Sequence, residues 1–300
     1  GLAAGASVVI SQYYGARDDK SVHEAVHTTM LMTFILCVVF TIVGVLMVPY
    51  MLRLMSTPAD VFDGAAQYLR IYFCGVTGLM IYNMGAGILQ AVGDSKRPLY
   101  FLIVSALTNT VLDLVFVIFC GWGIAGVAIA TVIAQCLSAA LVLIVLTRTT
   151  ASYSIFWNHM RINNNMLRSI WKIGLPSALQ QAITSFSNVF VQSYVNQFGS
   201  ACMAGWASYG KIDQFILLPM QSLALSTTTF VGQNLGANNI KRAKAGTHRA
   251  VVISLAVTAV LVVPVMIFAG QLISWFNTDL NVIMYGTMFM MGGAYTLSRN

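Results

Sequence analysis

Long apolar segments separated by short polar connections make up almost the whole of this 300-residue chain. An α-helix needs about 20 apolar residues to cross a bilayer, and most of these segments reach that length. A transmembrane β-barrel would show alternating segments of about ten residues, a pattern that this sequence lacks. The chain is therefore predicted to be an all-α integral membrane protein. Nine helices are expected, at roughly 1–14, 28–52, 68–92, 98–120, 123–147, 169–198, 207–235, 249–275 and 281–297.

Composition and charge agree with this pattern. Charged residues make up 8% of the chain and hydrophobic residues 58%, whereas soluble domains carry about 25% charged residues. The net charge of +7 comes from basic residues in short connections, so it indicates membrane topology and not binding to nucleic acid. If successive connections lie on alternate sides of the membrane, thirteen basic residues lie on one side and only Arg53 and Arg70 lie on the other. The remaining basic residue, Lys211, lies inside an apolar segment. The positive-inside rule makes the first side cytoplasmic.

The chain also contains an internal repeat. The sequence SQYYGARDDKSVHEAVH at 11–27 matches GQNLGANNIKRAKAGTH at 232–248 with a constant offset of 221 residues. Internal repeats of several helices are common in transporters. Both copies lead from a helix into a basic connection on the same side of the membrane. The two halves are therefore expected to be parallel and related by a pseudo-two-fold axis along the membrane normal.

The same offset predicts the plan of the intact protein. Subtracting 221 from 169–198 places one further helix before the start of this sequence. Adding 221 to 98–147 places two more helices after its end. We therefore expect two six-helix bundles, with this chain a fragment that lacks the first helix and the C-terminal end. The first lobe is assigned to 1–147, the cytoplasmic inter-lobe linker to 148–168 and the incomplete second lobe to 169–300.

One carboxylate interrupts the apolar segment at 98–120. A charged side chain in the middle of a membrane helix costs about 3 kcal/mol or more, so Asp113 should face protein or a water-filled cavity. Asn109 and Ser105 precede it at intervals of four residues, and the three side chains therefore share one helix face. This pattern is typical of a cation or proton site. The alternative is a buried Asp held by structural hydrogen bonds.

Small residues at intervals of four follow the face of the next segment, at Gly126, Ala130, Ala134 and Ser138. Such ridges let helix backbones approach closely, so this one is interpreted as a packing surface, with Thr131 and Gln135 on the adjoining face pointing inward. GWGIAG at 121–126 fits the pattern GxGxxG, but it links two apolar helices and is interpreted as a tight turn.

Seven motifs, in order along the chain, resemble the multidrug and toxic compound extrusion (MATE) family. They are SQYYGA at 11–16, QAVGDSKRPL at 90–99, NTVLD at 109–113, GWGIAGVAIATVIA at 121–134, KIGLPSALQQ at 172–181, KIDQFILLP at 211–219 and VGQNLGA at 231–237. The resemblance covers essentially all 300 residues, and it depends on the seven motifs taken together. It implies a twelve-helix antiporter with two six-helix lobes around a central cavity, which exports organic, often cationic, compounds against an inward flow of Na⁺ or H⁺.

Within the family, the chain is most similar to the DinF-like branch, and this similarity implies roles for three residues. Asn109 and Asp113 match an Asn and an Asp four residues apart on the fifth helix of a cation site. Thr131 matches a Thr of the same site on the sixth helix, and an Asp on the first helix would lie in the missing segment. The NorM-like branch has a Glu on its seventh helix where this chain has Thr184, so the resemblance implies no carboxylate there.

Polar residues in the second half are candidates for a second site or for the lining of the cavity. Lys211 and Asp213 lie two residues apart and therefore point to different helix faces. Asp213 is interpreted either as a second protonation site or as the structural partner of another helix. Ser185, Asn188 and Gln192 share one helix face. The complete set in the 169–198 segment is Gln180, Gln181, Thr184, Ser185, Asn188 and Gln192.

The predicted function is that of a secondary antiporter in the plasma membrane, in bacteria the cytoplasmic membrane. A small organic molecule and the bilayer are its expected partners, with no nucleic acid, and it is expected to act as a monomer. No cofactor is expected beyond the coupling ion, H⁺ or Na⁺, and no catalytic cluster or metal-ligand spacing stands out. His23, His27 and His248 are interpreted as surface residues. The alternative function is a flippase for lipid-linked oligosaccharides or polysaccharides, whose cavity would carry several basic residues where this chain offers only Lys211.

Overall fold

The computed structural model describes residues 1–54 and 59–297, and over these residues the chain is helical with short connections. Six segments within the described residues are long and apolar enough to cross a membrane. The prediction of an all-α membrane protein is therefore confirmed. The helices are α1 (Leu2–Gly15), α2 (Asp19–Leu54), α3 (Ala59–Ala91), α4 (Lys96–Leu114), α5 (Gly123–Arg148), α6 (Asn164–Asn196), α7 (Ser200–Gly236), α8 (Ile240–Ile267), α9 (Ala269–Ser274) and α10 (Leu280–Leu297).

Two helices differ from the apolar segments that predicted them. The segment at 98–120 is an α-helix only as far as Leu114 and continues as a π-helical turn, Val115–Phe119. The segment at 249–275 is divided into α8 and α9 at Phe268, whose φ of −101° and ψ of 19° leave the helical region. The break follows Pro264, a residue that lacks the backbone N–H and weakens an α-helix. The length of an apolar segment predicts neither the π-helical turn nor the break.

The first of two compact units comprises Gly1–Ser177 together with Leu235–Asn238. Within it α3 packs against α2 and α5, α4 packs against α5, and α1 contacts α2 and α3. Glycines allow the closest approaches: a Cβ on Gly78 of α3 would lie 2.9 Å from the backbone N of Cys136 in α5. Large side chains fill the space between these helices, among them Ile10, Met30, Leu89 and Leu146, which are fully buried.

The second unit comprises Ala178–Asn234 and the residues from Asn239 onward. Its core contains Ile212 of α7, Ala269 and Ile273 of α9, and Met290 of α10. In contrast, the apolar stretch of α8 buries none of its residues inside the chain. Side chains such as Leu255, 67% exposed, therefore present an apolar surface of the kind that faces lipid.

The internal repeat is visible in the backbone of two turns. The end of α1 and the end of α7 are 221 residues apart, as are the starts of α2 and α8. Arg17 and Asn238, also 221 apart, have positive φ values of 56° and 54°. Asp18 and Asn239 then cap the following helices, each accepting a hydrogen bond from the backbone N–H three residues on, at 3.1 Å. The hydrogen bond from the Ser21 hydroxyl lowers the pKa of the exposed Asp18.

The connection between α5 and α6 lies against the start of α2. The buried His27 accepts a hydrogen bond at Nε2 from the N–H of Phe156, at 3.0 Å, and its Nδ1 lies 2.7 Å from the carbonyl oxygen of His23. Asn163 donates from Nδ2 to Glu24 at 2.7 Å. The interpretation of His27 as a surface residue is therefore wrong, because the polar connection that covers it is distant in sequence.

Candidate cation site

A tight hairpin sets α4 beside α5. Gly121 and Gly123 have φ values of 66° and 51°, a conformation that favours glycine because it has no Cβ. The Phe116 and Trp122 rings stack with centroids 5.0 Å apart, and the N–H of Trp122 donates to the carbonyl oxygen of Phe116 at 3.0 Å. The turn interpretation of GWGIAG is therefore confirmed. The two helices run antiparallel from it, so residues at matching distances from the turn face each other.

Two polar contacts join the helices above this turn. The Ser105 hydroxyl donates to the carbonyl oxygen of Ala134 at 2.7 Å, in a buried position. One turn nearer the hairpin, Nδ2 of Asn109 lies 3.5 Å from Oγ1 of Thr131. That hydroxyl donates to the carbonyl oxygen of Val127 at 3.0 Å. Asn109 and Thr131 are thus brought together, through the amide nitrogen of one and the hydroxyl of the other.

Asp113 lies one turn further along the same face of α4, in its last turn. Its Oδ1 is buried and has no hydrogen-bond partner among the described residues. No described hydrogen bond or ion pair connects it to Asn109 or Thr131. A buried carboxylate oxygen without a partner is costly, because most buried polar atoms in proteins are hydrogen-bonded. The π-helical turn begins two residues later, and such turns occur frequently at functional sites.

The ridge of small residues is buried as a packing surface should be, at Gly126, Ala130, Ala134 and Ser138. Beside it, Oε1 of Gln135 is buried without a hydrogen-bond partner. A Cβ on Gly78 would lie 3.0 Å from the backbone oxygen of Gln135, so α3 passes directly beside this position. The sequence predicted that Gln135 points inward, but it did not predict that its amide oxygen lacks a hydrogen-bond partner.

The polar residues of α6 lie on an exposed helix. Gln180, Gln181, Thr184 and Ser185 are exposed, and Thr184 donates to the carbonyl oxygen of Gln180 at 2.9 Å. Asn188 and Gln192, the other two polar residues of this set, share a helix face as predicted. Together with three neighbours they line an open depression of about 380 Å³. Its lining residues are Asn188, Val189, Gln192, Ser193 and Asn196.

Lys211 and Asp213 point in different directions, as their spacing predicts. Nζ of Lys211 lies 5.3 Å from the centre of the Phe276 ring, while the carboxylate of Asp213 interacts with the Tyr209 hydroxyl one turn earlier on α7. Tyr209 is thus a structural partner for Asp213 on its own helix. No cluster of His, Cys, Asp or Glu that could hold a metal ion occurs among residues 1–54 and 59–297.

Comparison with known proteins decides the family. The MatE family model matches residues 1–115 and 176–296, well over half of the chain. The chain belongs to the MatE family. It is 31% identical over 287 residues to the probable multidrug resistance protein YoeA of Bacillus subtilis, covering 93% of this chain and 62% of the relative. It is 27% identical over 295 residues to the probable multidrug resistance protein YpnP of the same organism, covering 97% and 65%.

Solved structures agree with this assignment. The outward-facing structure of a multidrug resistance MATE transporter of the MOP superfamily matches with a TM-score of 0.89 at 24% identity, over 97% of this chain and 65% of that one. The similarity shows that the MatE chain has the fold of these two-lobed helical transporters. The chain spans 62–65% of the length of the curated relatives named above. It is a multi-pass protein of the plasma membrane.

Proposed function

We propose that this MatE protein exports organic, often cationic, compounds and is driven by H⁺ or Na⁺ moving inward through a site at Asp113, Asn109 and Thr131. The buried, unpaired Oδ1 of Asp113 carries the proposal, because a carboxylate oxygen buried in a membrane helix without a partner is costly unless a proton or a cation binds there. The names of the two Bacillus relatives support a multidrug substrate range.

The neighbouring groups support an ion site more than a structural role for Asp113. A structural Asp would be expected to have its oxygens satisfied by donors, as most buried polar atoms are. Here the nearest polar side chains along the same helix face contact α5 instead, through the Asn109–Thr131 pair. Their oxygens and a carboxylate oxygen are hard ligands of the type that Na⁺ prefers. A proton would need only the carboxylate.

The coupling step follows from the change in charge. With the carboxylate ionised, water or a cation must stay beside it, which keeps α4 and α5 open around Asp113. Protonation, or binding of a cation, neutralises the site and allows the helices to close. The π-helical turn Val115–Phe119, which directly follows α4, is an irregular segment where such repacking can occur. An ion can drive this change only by binding the two states with different affinities.

Asp113→Asn tests the proposal, because the amide has the shape of the acid but cannot titrate. In proteoliposomes of the intact protein, uptake of a cationic dye driven by a pH or Na⁺ gradient should fall by more than about tenfold, because the two states then no longer differ in charge. The matched control is Asp63→Asn, which makes the same change at an exposed position of α3 and should leave the rate unaltered.

Thr131→Val distinguishes the two ions. If Na⁺ is the coupling ion, losing a hydroxyl ligand should raise the Na⁺ concentration for half-maximal transport by about tenfold, the effect of removing about 1.4 kcal/mol of binding. If the ion is H⁺, the pH profile of transport should stay as in the wild type. An Asp113→Asn protein that still concentrated dye at the wild-type rate would reduce Asp113 to a structural residue.

A further inference from the structure

An open pocket of about 590 Å³ lies between the end of α7 and the start of α8. It belongs entirely to the second unit and is far from the candidate cation site in sequence. Its chemistry is basic and aromatic, with two hydroxyl-bearing residues at one edge. The residues that matter here are Ser226, Thr227 and Phe230 of α7, and Arg242, Gly246 and Arg249 of α8.

The two arginines are held on one side of α8. They are seven residues apart, which is about two helical turns, so both project from the same face about 10 Å apart along the axis. The guanidinium carbon of Arg242 lies 5.6 Å from the centre of the Phe230 ring. A Cβ on Gly246 would overlap that ring, so glycine is what allows Phe230 to lie against α8 beneath Arg242. The ring thus helps to fix the position of one guanidinium group.

Nothing in the second unit neutralises these charges. From Ala178 to the end of the sequence there are two acidic residues, Asp213 and Asp279. Asp213 lies about 20 Å before the pocket along the α7 axis, and Asp279 lies beyond the far end of α8. Among the side chains described in residues 1–54 and 62–292, the one ion pair is that of Arg97 with Asp94. Paired guanidinium groups without a carboxylate are suited to binding a phosphate group.

The repeat supplies a comparison within the chain. An offset of 221 places Arg249 at Thr28 of α2 and Ala245 at Glu24. That surface of α2 is covered by the connection before α6. Thr28 accepts a hydrogen bond from the backbone N–H of Asn163 at 3.0 Å, and Glu24 accepts one from the side-chain amide of the same Asn163. On α8 the corresponding surface carries two arginines, at positions where α2 has Ser21 and Thr28. The arginine pair is therefore a feature of α8 that the first copy of the repeat does not share.

The pocket also lies where α8 becomes apolar. Immediately after Arg249, the side chains of Val251, Val252 and Ile253 are about half exposed, and the apolar window of α8 has none of its residues buried. The charged end of the helix is predicted to be cytoplasmic, because it belongs to the basic connection after α7. We therefore expect Arg242 and Arg249 at the level of the lipid headgroups, directly beside a surface that acyl chains can cover.

We propose that this pocket binds the phosphate group of an anionic phospholipid, with Arg242 and Arg249 as its ligands and the acyl chains along the exposed apolar face of α8. Arginine pairs bind phosphate through several charge-assisted hydrogen bonds, and basic pockets between membrane helices on the cytoplasmic side bind anionic headgroups. Free phosphate has the same anionic oxygens but no acyl chains, so it should bind far more weakly.

Native mass spectrometry of the purified protein in detergent tests the proposal with three probes: dihexanoylphosphatidylglycerol, dihexanoylphosphatidylcholine and inorganic phosphate. The wild type should retain the phosphatidylglycerol and neither of the others. The double variant Arg242→Gln with Arg249→Gln should bind phosphatidylglycerol about 30-fold more weakly, from the contribution that each basic side chain makes near an anionic lipid. Arg242→Lys with Arg249→Lys keeps the charge and should recover part of the affinity.

The matched control is Lys241→Gln with Lys244→Gln, which removes the same charge from the exposed start of α8 outside the pocket. It should change the affinity less than about threefold, and thermal unfolding of each variant should confirm that it is folded. Equal losses in the two double variants would overturn the proposal in favour of diffuse attraction. If inorganic phosphate displaced the lipid at a similar concentration, the ligand would be the phosphate group alone, and the proposal of a phospholipid would be wrong.

Discussion

At the scale of single residues, His27 shows how one side chain secures a long connection. Replacing this buried imidazole by leucine removes the acceptor of a partly buried hydrogen bond from the N–H of Phe156. A hydrogen bond contributes about 0.5–1.5 kcal/mol net, so His27→Leu should lower the free energy of unfolding by at least that amount. Denaturant unfolding in detergent measures the change, and limited proteolysis should show faster cleavage between α5 and α6.

The chain provides a control through its repeat. His248 is the counterpart of His27 at an offset of 221, but it is exposed. His248→Leu should therefore change stability by less than about 0.5 kcal/mol. Equal effects of the two substitutions would mean that the contact with Phe156 contributes nothing to stability.

The candidate site could be predicted from the sequence only in part. Asp113 follows from the cost of a charge in a membrane helix, and its register with Asn109 follows from helical periodicity. Thr131 was assigned through family resemblance, and the structure places it beside Asn109. The buried position of His27 could not be predicted, because it depends on the path of a connection about 130 residues away in sequence.

At the scale of helices, close approach of α3 to α5 depends on glycine. A Cβ at position 78 would meet the backbone of Gln135 and Cys136 at about 3 Å, as measured from its ideal position. Since a backbone cannot rotate away like a side chain, Gly78→Ala should force the helices apart and destabilise the protein by about 1–3 kcal/mol. Thermal unfolding in detergent measures this loss of stability directly.

Gly210 of α7 is the matched position for this prediction, because an added Cβ there meets nothing within 4 Å. Gly210→Ala should leave stability unchanged or raise it by up to about 1 kcal/mol, through the lower entropy of the unfolded chain. A Gly78→Ala protein as stable as Gly210→Ala would show that α3 and α5 do not need the close contact.

The helices themselves were predictable from hydropathy, whereas their interruptions were not. Apolar length predicted the segments well, because the bilayer imposes that length. The π-helical turn at Val115–Phe119 lies in uniformly apolar sequence, so hydropathy carries no signal for it. The break at Phe268 is also invisible in hydropathy, but Pro264 four residues earlier indicates a kink there. Helix α2 begins well before its apolar segment because Asp18 caps it and polar turns can extend out of the membrane.

At the scale of the whole molecule, the repeat and the charge distribution make one prediction about topology. The α1–α2 and α7–α8 turns have the same backbone geometry, 221 residues apart, and both are basic. The positive-inside rule places both in the cytoplasm. The α4–α5 turn then lies outside, where the exposed Cys120 provides a natural reporter. The pseudo-two-fold relation between the lobes stays a prediction.

Cysteine labelling tests this topology in intact cells. With the other four cysteines replaced, a membrane-impermeant thiol reagent should label Cys120 without lysis, since its side chain is exposed beside the α4–α5 turn. Lys20→Cys and Lys241→Cys, which occupy equivalent exposed positions after the two repeated turns, should react only after the cells are opened. Because both turns share one backbone geometry and both are flanked by Lys or Arg residues, they must behave alike. Labelling of one but not the other in intact cells would contradict the parallel repeat, and labelling of both with protection of Cys120 would reverse the orientation.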